Sequence, residues 1–273
     1  MSIYGRTSVT LSPQDVQALQ VVSALLREEG WPFVIVGARA PWILVAGQSW
    51  RVTRDIDAVI RAPSWEEFER LAARLTATGF ARPEVHHFIS PQGAEVDLMP
   101  YGEGVSADDT IVWPNGMVMS ALGLEEAFAA SVEREIAPRL SVRVVTAPAL
   151  VILKIVAYQD RPHERSKDLA DLAEAFERYE EDDDRRFDLV DTTADDTPIA
   201  FEEAGAYLLG VDTARLARPK SREVISAFLA RFTDEYAEPV SRVLAEEKRR
   251  QSERRRTQVF RLFRVFTAGF GAL

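Results

Sequence analysis

Apolar residues recur with helical spacing at the start of the chain, and a strand-like run follows. Between residues 13 and 29 the apolar positions return every three or four residues, which indicates an amphipathic helix. Ser12 and Pro13 are typical of a helix start, because serine caps free backbone amides and proline suits the first turn. Gly30 is typical of a helix end, and the β-branched run at 31–36 predicts a buried strand.

The same patterns predict the elements of the rest of the chain. The predicted elements are a helix over 38–46, a strand over 55–60, a helix over 65–78, strands over 84–89 and 94–99, a helix over 122–132, a strand over 142–145 and helices over 146–158, 167–179 and 221–250. Strands and helices alternate first and helices alone follow, so we expect an α+β chain. We expect an α/β domain over residues 1–146 and a helical domain over residues 147–273.

Composition excludes several classes of protein. The chain has no cysteine, so neither a disulfide framework nor a thiolate metal site is possible. Its three histidines, at positions 86, 87 and 163, are too few and too poorly spaced for the common zinc centres. The N-terminus does not have the pattern of a signal peptide, and no segment approaches the roughly 20 apolar residues of a membrane helix. We therefore expect a cytoplasmic protein without a membrane partner.

Charge is distributed unevenly along the chain. The formal charge of -10 argues against a surface generally adapted to nucleic acid. However, residues 180–196 are acidic, whereas residues 248–264 are rich in arginine and interleaved with phenylalanine. The arginine-rich segment either contacts RNA or another phosphate-bearing partner, or it is a solvated helix face or an intramolecular partner of the acidic stretch. We favour the intramolecular interpretations.

Carboxylates on predicted strands are the first sign of chemistry. Asp55 and Asp57 project from the same face of their strand, while Ile56 points to the other face. Like charges on one strand face repel, and folding alone gives no reason to place them there, whereas a divalent cation would hold both. Asp97 lies on a second predicted strand, with Glu95 on the same face.

Three aspartates on two adjacent strands can bind two metal ions. Oxygen ligands in incomplete sets favour Mg²⁺, which keeps positions open for phosphates and water. One ion would lie on the nucleotide phosphates, and the other would lower the pKa of an attacking hydroxyl. Asp97 is then the expected ligand or proton acceptor. Gly37 and Ala38, between a strand and a helix, would let backbone amides approach a phosphate.

These motifs, in this order, resemble the nucleotidyltransferases of the polymerase-beta superfamily. The block from Val34 to Ile60 has the glycine plus a small residue, the helix and the Asp-x-Asp of that signature. Within the superfamily the chain is similar to the AbiEii/AbiGii toxin-type proteins, whose Arg-x-Thr-x-Asp-Ile-Asp run matches residues 51–57 and whose third-carboxylate strand resembles residues 96–102. The resemblance implies a nucleotidyltransferase fold, in which a mixed sheet flanked by helices precedes a C-terminal helical domain.

The resemblance continues into the helical part of the chain. Residues 154–161 are similar to the family's Lys-x-x-Ala-x-x-x-Arg helix, and residues 167–171 to its Arg-Asp-x-x-Asp element, with Lys167 in place of the arginine. It implies that Lys154 neutralises triphosphate charge and that Asp168 positions the lysine or the nucleotide, so that the helical domain contributes both residues to the cleft. A structural ion pair between Lys154 and Asp168 is the alternative interpretation.

The resemblance implies transfer of a nucleoside monophosphate from an NTP, with two Mg²⁺ ions and pyrophosphate as the leaving group. The implied catalytic residues are Asp55, Asp57, Asp97 and Lys154, the first three also being the metal ligands, and the implied nucleotide-binding residues are Gly37, Ala38, Arg39, Thr53, Lys154 and Asp168. Ala38 departs from the glycine or serine that the family usually has there, and residues 162–164 lengthen a gap, which bears on phosphate geometry. Acceptors in the family include tRNA ends, and a cognate antitoxin can neutralise the enzyme.

Two alternative functions stay open. An acidic protein suits a cationic small-molecule acceptor, such as an aminoglycoside-like antibiotic, whereas the arginine-rich segment favours RNA. A degenerate member of the family would bind nucleotide or a partner protein without turnover, although all three carboxylates are present. His86 and His87 receive no role, because neighbouring residues on a strand face opposite ways.

Overall fold

The computed structural model describes residues 11–44, 53–180, 184–189, 192–247 and 252–272. The chain divides into two compact units, Met1–Thr146 and Ala147–Leu273. Some predicted features lie outside the described residues. These are the last two residues of the helix at 38–46, Arg51 of the family run, and parts of the acidic and arginine-rich segments.

The first unit contains four α-helices and nine strands among its described residues. They are α1 (Pro13–Glu29), β1 (Phe33–Val36), α2 (Ala40–Leu44), β2 (Asp55–Arg61), α3 (Trp65–Ala77), β3 (His87–Ile89), β4 (Glu95–Tyr101), β5 (Ser106–Ala107), β6 (Thr110–Val112), β7 (Val118–Ser120), α4 (Leu124–Ala129), β8 (Ser131–Ala137) and β9 (Leu140–Val145). A 3₁₀ turn, Gly37–Arg39, joins β1 to α2.

Six of these strands form one mixed sheet, in the order β3-β4-β2-β1-β9-β8. β2 runs parallel to β4 and β1 runs parallel to β9, whereas the other neighbouring pairs are antiparallel. The two central strands supply Ile35 and Ile56, which are fully buried. Strands β5, β6 and β7 form a separate small antiparallel sheet. The predicted α+β class, with a mixed sheet flanked by helices and a helical part after it, is confirmed.

Helix α1 begins and ends as its sequence predicts. Asp15 N donates to Ser12 Oγ at 3.1 Å, and Ser12 N donates to Asp15 Oδ2 at 3.2 Å, which is a reciprocal capping box. Gly30 ends the helix with φ 72°. Oδ2 of Asp15 also lies 3.4 Å from the guanidinium of Arg39, so the first turn of α1 is tied to the 3₁₀ turn after β1.

The second unit is helical apart from one short hairpin among its described residues. Its elements are α5 (Ala147–Asp160), α6 (Ser166–Arg178), a 3₁₀ stretch (Asp184–Leu189), β10 (Thr193–Ala194), β11 (Thr197–Pro198), α7 (Phe201–Leu216), α8 (Pro219–Leu229), α9 (Glu238–Glu246) and α10 (Glu253–Phe270). Within the described ranges, no helix of either unit has the length and apolar character needed to span a membrane.

Helices α7 and α10 pack closely against each other. A Cβ atom on Gly210 of α7 would overlap the carbonyl oxygen of Phe266, and one on Gly269 of α10 would overlap the carbonyl oxygen of Tyr207. The Phe263 and Phe266 side chains of α10 are fully buried. Helix α10, which carries most of the arginine-rich segment, is therefore part of the core of the helical unit.

Two predictions of secondary structure are wrong. The helix predicted over 122–132 ends at Ala129, and Ser131–Ala137 forms β8, an edge strand with three successive exposed residues. Its sequence therefore lacks the alternation that marks a half-buried strand. The single helix predicted over 221–250 is two helices, α8 and α9, because Pro239 disfavours a helix interior and instead lies in the first turn of α9.

Candidate active site

Strands β1 and β2 bring Gly37 next to Asp57. Val36, the last residue of β1, pairs with Asp57 in the antiparallel register, so the chain leaves β1 directly beside this carboxylate. Gly37 has φ 68°, a left-handed conformation that other residues rarely adopt. A Cβ atom at this position would overlap Oδ2 of Asp57. The glycine is thus required to make room for an acidic side chain.

The parallel pairing of β2 and β4 brings the three predicted carboxylates together. Asp57 lies directly opposite Asp97, and Asp55 lies opposite Glu95. One carboxylate oxygen from each of Asp55, Asp57 and Asp97 lies within 4.8 Å of the other two. All three aspartates are partly exposed, whereas Ile56 between the first two is fully buried. We call this cluster the carboxylate triad.

The carboxylate triad fits a divalent cation. Three negative charges at this separation repel one another, and a bound cation reverses the sign of that interaction. Partly exposed oxygen ligands that leave coordination positions open suit Mg²⁺, which keeps water and phosphate in its shell. The close fit of Gly37 around Asp57 holds one of the ligands in place. The triad is therefore compatible with the predicted metal site, and the identity of the ion as Mg²⁺ stays a prediction.

Thr53 contacts the carboxylate triad directly. Its hydroxyl donates a hydrogen bond to Oδ1 of Asp55. This bond fixes the orientation of the first aspartate, because an ionised carboxylate only accepts hydrogen bonds and the hydroxyl supplies a donor two residues away. The role predicted for Thr53 was nucleotide binding, which stays a prediction; the structure shows the residue as a neighbour of a metal-ligand candidate.

Ala38 and Arg39 are buried in the 3₁₀ turn after β1. The Arg39 guanidinium contacts Asp15 of α1 and donates to the backbone carbonyl of Arg54 at 3.2 Å. Arg39 thereby links α1, the 3₁₀ turn and the segment that leads into β2. The predicted roles of Ala38 and Arg39 at the nucleotide phosphates stay predictions, and the observed contacts of Arg39 position the backbone around the triad.

His87 is a neighbour of the triad that sequence reasoning missed. Its Nδ1 lies 2.6 Å from Oδ1 of Asp97, across the antiparallel pair of β3 and β4. A signal was present in the sequence, because Pro91 and Gly93 are typical turn residues and His87 and Asp97 are both five residues from Gln92 between them. A tight hairpin centred there places the two residues opposite each other on one face.

Lys154 of α5 is buried with two carboxylates of α6. Its Nζ donates to Asp168 Oδ1 at 3.0 Å and to Asp171 Oδ2 at 2.5 Å, and all three side chains are about 5% exposed. Burial alone would lower the pKa of Lys154, but the two carboxylates together raise it above its ordinary value. The geometry matches the alternative interpretation, a structural ion pair between helices, and the phosphate roles of Lys154 and Asp168 stay predictions.

Besides Lys154, Asp168 has a second basic neighbour, Arg165, at the start of α6. Nη1 of Arg165 lies 3.9 Å from Oδ2 of Asp168, one helical turn away, whereas Lys167 is exposed. Lys167 is the residue that stands in place of the arginine of the family element. Residues three apart on a helix share a face and adjacent residues do not, so Arg165 is better placed than Lys167 to contact Asp168.

Arg261 and Arg264, in the described part of the arginine-rich segment, pair with acidic groups inside the helical unit. Arg264 and Asp195 form a two-bond ion pair at 2.7 and 2.8 Å, and Asp195 belongs to the acidic stretch 180–196. Arg261 contacts both carboxylate oxygens of Glu203 at 3.2 Å. These contacts support the intramolecular interpretation of the segment, since the guanidinium groups face acidic groups of the same unit.

Comparison with known proteins matches the chain to one family over most of its length. The family described as "Nucleotidyl transferase AbiEii toxin, Type IV TA system" matches residues 33–261. This range extends well beyond residue 171, the last residue of the sequence motifs named above. No match was found among curated proteins.

Several solved structures are similar to the chain at low identity. A putative nucleotidyltransferase from H. pylori is 11% identical, over 95% of this chain and 96% of that one, with a TM-score of 0.40. ANT(2")-Ia in complex with adenylyl-2"-tobramycin is 17% identical, over 80% of this chain and 99% of that one, with a TM-score of 0.37. The Thermotoga maritima CCA-adding enzyme complexed with tRNA is 15% identical, over 88% and 68%, with a TM-score of 0.26.

Proposed function

Since this chain belongs to the AbiEii family of nucleotidyltransferases, we propose that it transfers a nucleoside monophosphate from an NTP to an RNA acceptor, with tRNA ends as the first candidates. The observation that carries the proposal is the carboxylate triad, whose three oxygens lie within 4.8 Å of one another beside Gly37. The proposed metal is Mg²⁺, as two ions, and the proposed compartment is the cytoplasm, which holds both NTPs and tRNA.

The proposed reaction assigns a separate task to each part of the site. Divalent ions bound there would supply charge neutralisation at the triphosphate and would lower the pKa of the attacking hydroxyl. Asp55, Asp57 and Asp97 would hold the ions, and Asp97 would accept the proton of that hydroxyl. The acceptor oxygen bonds to the α-phosphorus while the bond from this phosphorus to pyrophosphate breaks. The turn at Gly37 and Ala38 brings backbone towards the phosphates.

Lys154 and Asp168 are proposed to position the nucleotide, and not to supply free positive charge. Nζ of Lys154 already contacts the carboxylates of Asp168 and Asp171, so its charge is engaged within the helical unit. The resemblance of residues 154–161 and 167–171 to the family's elements supports a positioning role. Residues that position a substrate affect the rate through alignment, and a misplacement of about 1 Å can cost 100-fold.

Family membership supports a cognate antitoxin as the protein partner, whereas the RNA acceptor follows from the resemblance of the sequence motifs. The matched family is described as a toxin of a Type IV toxin–antitoxin system. The arginine-rich segment is not part of this proposal, because Arg261 and Arg264 pair with acidic groups of their own unit. RNA binding would instead use surfaces in which positive charge faces solvent.

A cationic small molecule is the second candidate acceptor. The formal charge of -10 and the internal pairing of Arg264 with Asp195 both favour it, because an acidic protein attracts cations and repels RNA. The two acceptor classes use the same carboxylate triad and the same NTP chemistry, so they differ only in where a label from the nucleotide is found after the reaction.

The decisive experiment follows label from each of the four α-³²P-labelled NTPs in the presence of Mg²⁺. The acceptors are total tRNA in one series and an aminoglycoside in the other, and pyrophosphate release is measured in both. We expect label on tRNA with one preferred NTP. Label on the aminoglycoside alone would favour the second candidate acceptor. If no pyrophosphate is released with tRNA or with the aminoglycoside, both candidate functions are contradicted.

Two variants separate chemistry from folding in this experiment. Asp57→Asn removes one ligand charge and keeps the shape of the side chain, so it should abolish label transfer while the thermal unfolding midpoint stays near that of the wild type. Glu135→Gln on the exposed strand β8 makes the same change of charge away from the triad. It should transfer label at the wild-type rate. Full activity of Asp57→Asn would remove the carboxylate triad from the proposal.

A further inference from the structure

The imidazole of His87 and the carboxylate of Asp97 form a close polar pair at the edge of the large sheet. Nδ1 of His87 lies 2.6 Å from Oδ1 of Asp97, and the two side chains are 21% and 24% exposed. Asp97 is also a member of the carboxylate triad. His87 thus contacts a candidate metal ligand at the side of the site formed by strand β3.

The register of the β3–β4 hairpin produces this contact. His87 pairs directly with Asp97 in the antiparallel ladder, so the two side chains leave the sheet on the same face. The turn between the strands is closed by a hydrogen bond from Gly93 N to Ser90 O at 2.9 Å and by one from Ser90 N to Ala94 O at 2.8 Å. A slip of one residue would turn His87 to the other face, so the turn fixes the pair.

The chemistry of the two groups defines the direction of the hydrogen bond. An ionised carboxylate has only acceptor sites, so Nδ1 of His87 carries the hydrogen and donates it to Oδ1 of Asp97. A bond to Oδ1 restricts rotation of the carboxylate and leaves Oδ2 able to coordinate a cation. The donor also offsets part of the repulsion that Asp97 experiences from Asp55 and Asp57.

We infer that His87 is a positioning residue for the metal site: it holds Asp97 in the orientation that binds a divalent cation. The inference rests on the proposed metal site at the carboxylate triad. Groups that hydrogen-bond to metal ligands fix ligand orientation, and their loss typically weakens metal binding or activity by about 10- to 100-fold. His87 acts on the ion through Asp97 and is not itself counted among the ligands.

The test measures binding of Mn²⁺ to the full-length protein without nucleotide, from the loss of the free Mn²⁺ signal in electron paramagnetic resonance. His87→Ala should raise the Kd for Mn²⁺ by about 10- to 100-fold. His87→Asn should stay close to the wild-type Kd, because the asparagine amide nitrogen occupies nearly the position of Nδ1 and donates a hydrogen bond. His87→Gln, whose amide reaches the position of Nε2 instead, should resemble His87→Ala.

His86 provides the matched control. It precedes His87, and its ring packs against Trp113 with ring centres 5.2 Å apart. His86→Ala removes the same kind of side chain from the same part of the hairpin without touching Asp97. It should leave the Kd for Mn²⁺ unchanged, so a general loosening of this segment can be told apart from the loss of the bond to Asp97.

The outcomes distinguish the inference from the proposal beneath it. If Asp97→Asn binds Mn²⁺ as tightly as the wild type, or the wild type shows no saturable binding, the proposed metal site is wrong. If Mn²⁺ binding is weakened in Asp97→Asn but not in His87→Ala, the proposed metal site is supported and the positioning role of His87 is overturned. If the Kd for Mn²⁺ rises as much in His87→Asn as in His87→Ala, a hydrogen bond from the Nδ1 position does not hold Asp97 in place, and the inference is overturned. Should His87→Ala fail to fold, the comparison of His87→Asn with His87→Gln decides.

Discussion

Gly37 and Asp57 lie so close together that a methyl group on the first would occupy the space of the carboxylate of the second. The antiparallel pairing of β1 with β2 imposes this proximity, since the residue before Gly37 pairs directly with Asp57. In the sequence the glycine suggests only that backbone can approach a phosphate. The structure adds that the glycine shapes the carboxylate triad itself.

We therefore expect Gly37→Ala to inactivate the enzyme without unfolding it. The added methyl group would displace the Asp57 carboxylate, and a displacement of about 1 Å at a reacting centre can cost 100-fold in rate. The measurement is label transfer from NTP at saturating Mg²⁺, together with the Kd for Mn²⁺. The rate of label transfer should fall, and the Kd for Mn²⁺ should rise.

Gly30→Ala is the matched control for that change. Gly30 has nearly the same left-handed backbone, φ 72°, but a Cβ atom there meets nothing within 4 Å. Both variants bear the backbone strain of roughly 1–2 kcal/mol for a left-handed alanine. Only Gly37→Ala should lose activity. Equal losses in the two variants would show that backbone strain is responsible, and not the contact with Asp57.

Replacement of Lys154 by methionine should strongly destabilise the helical unit. It leaves the buried carboxylates of Asp168 and Asp171 without the lysine that bridges them, and removing one partner of a buried ion pair costs about 3–5 kcal/mol. The measurement is urea unfolding followed by far-ultraviolet circular dichroism. The triple variant Lys154→Met, Asp168→Asn, Asp171→Asn should recover part of the loss, because no unpaired charge remains buried.

The same variants test whether Lys154 and Asp168 help to position the nucleotide. If Lys154 and Asp168 have only a structural role, the stable triple variant should transfer label at a rate near that of the wild type. We expect it to stay impaired, in line with the proposed positioning role. A triple variant that is both stable and fully active would assign the group to folding alone.

Lys154 also predicts how stability changes with pH. The two carboxylates raise its pKa in the folded state above the ordinary value of 10.5. A raised pKa means that the folded state holds the proton more tightly, so the contribution is fully present below pH 10.5 and is lost as the pH rises through the folded pKa. The difference in free energy of unfolding between wild type and Lys154→Met should be constant from pH 7 to about 9 and shrink only in strong alkali.

Arg264→Gln should have little effect on RNA binding. The ion pair of Arg264 with Asp195 occupies the guanidinium within the helical unit, and exposed pairs of this kind contribute about 0–1 kcal/mol to stability. The affinity for tRNA should stay near the wild-type value, with an unchanged dependence on salt. A slope of log affinity against log salt that falls by about one would show that Arg264 contacts a phosphate.

Gly269→Ala should destabilise the helical unit through the packing of α10 on α7. A Cβ atom at Gly269 would overlap the carbonyl oxygen of Tyr207, and forcing extra volume into a packed interior typically costs about 1–3 kcal/mol. Gly271→Ala is the control, because its Cβ atom would lie in ordinary contact, 3.4 Å from the nearest atom. The urea midpoint should fall for the first variant and stay nearly constant for the second.

The sequence predicts the elements that carry strong local signals. Helix α1 has a capping serine, a proline and a terminal glycine, and the structure places its ends where these residues predict. Strand β8 lacks such signals, because an edge strand with three consecutive exposed residues does not alternate and its glutamates favour helix. The break before α9 was signalled by Pro239, and the apolar spacing on either side outweighed it in the prediction.

At the candidate site, the residue types were predictable from sequence and their partners were not. Asp55, Asp57 and Asp97 were identified from their spacing on strands, and the structure brings them together. The contacts of His87 with Asp97 and of Arg39 with Asp15 depend on register and on packing between distant segments. Such contacts become visible only when the pairing of the strands is known.

The contact of α7 with α10 bears on how the protein is made. A ribosome releases α7 well before α10, so the helical unit has to wait for its last partner before its core can close, whereas the sheet unit has all its strands once residue 145 has emerged. Domains generally fold as they are synthesised, from the N-terminus onwards. The carboxylate triad can then be assembled on the nascent chain before α10, the last partner in the helical core, has been synthesised.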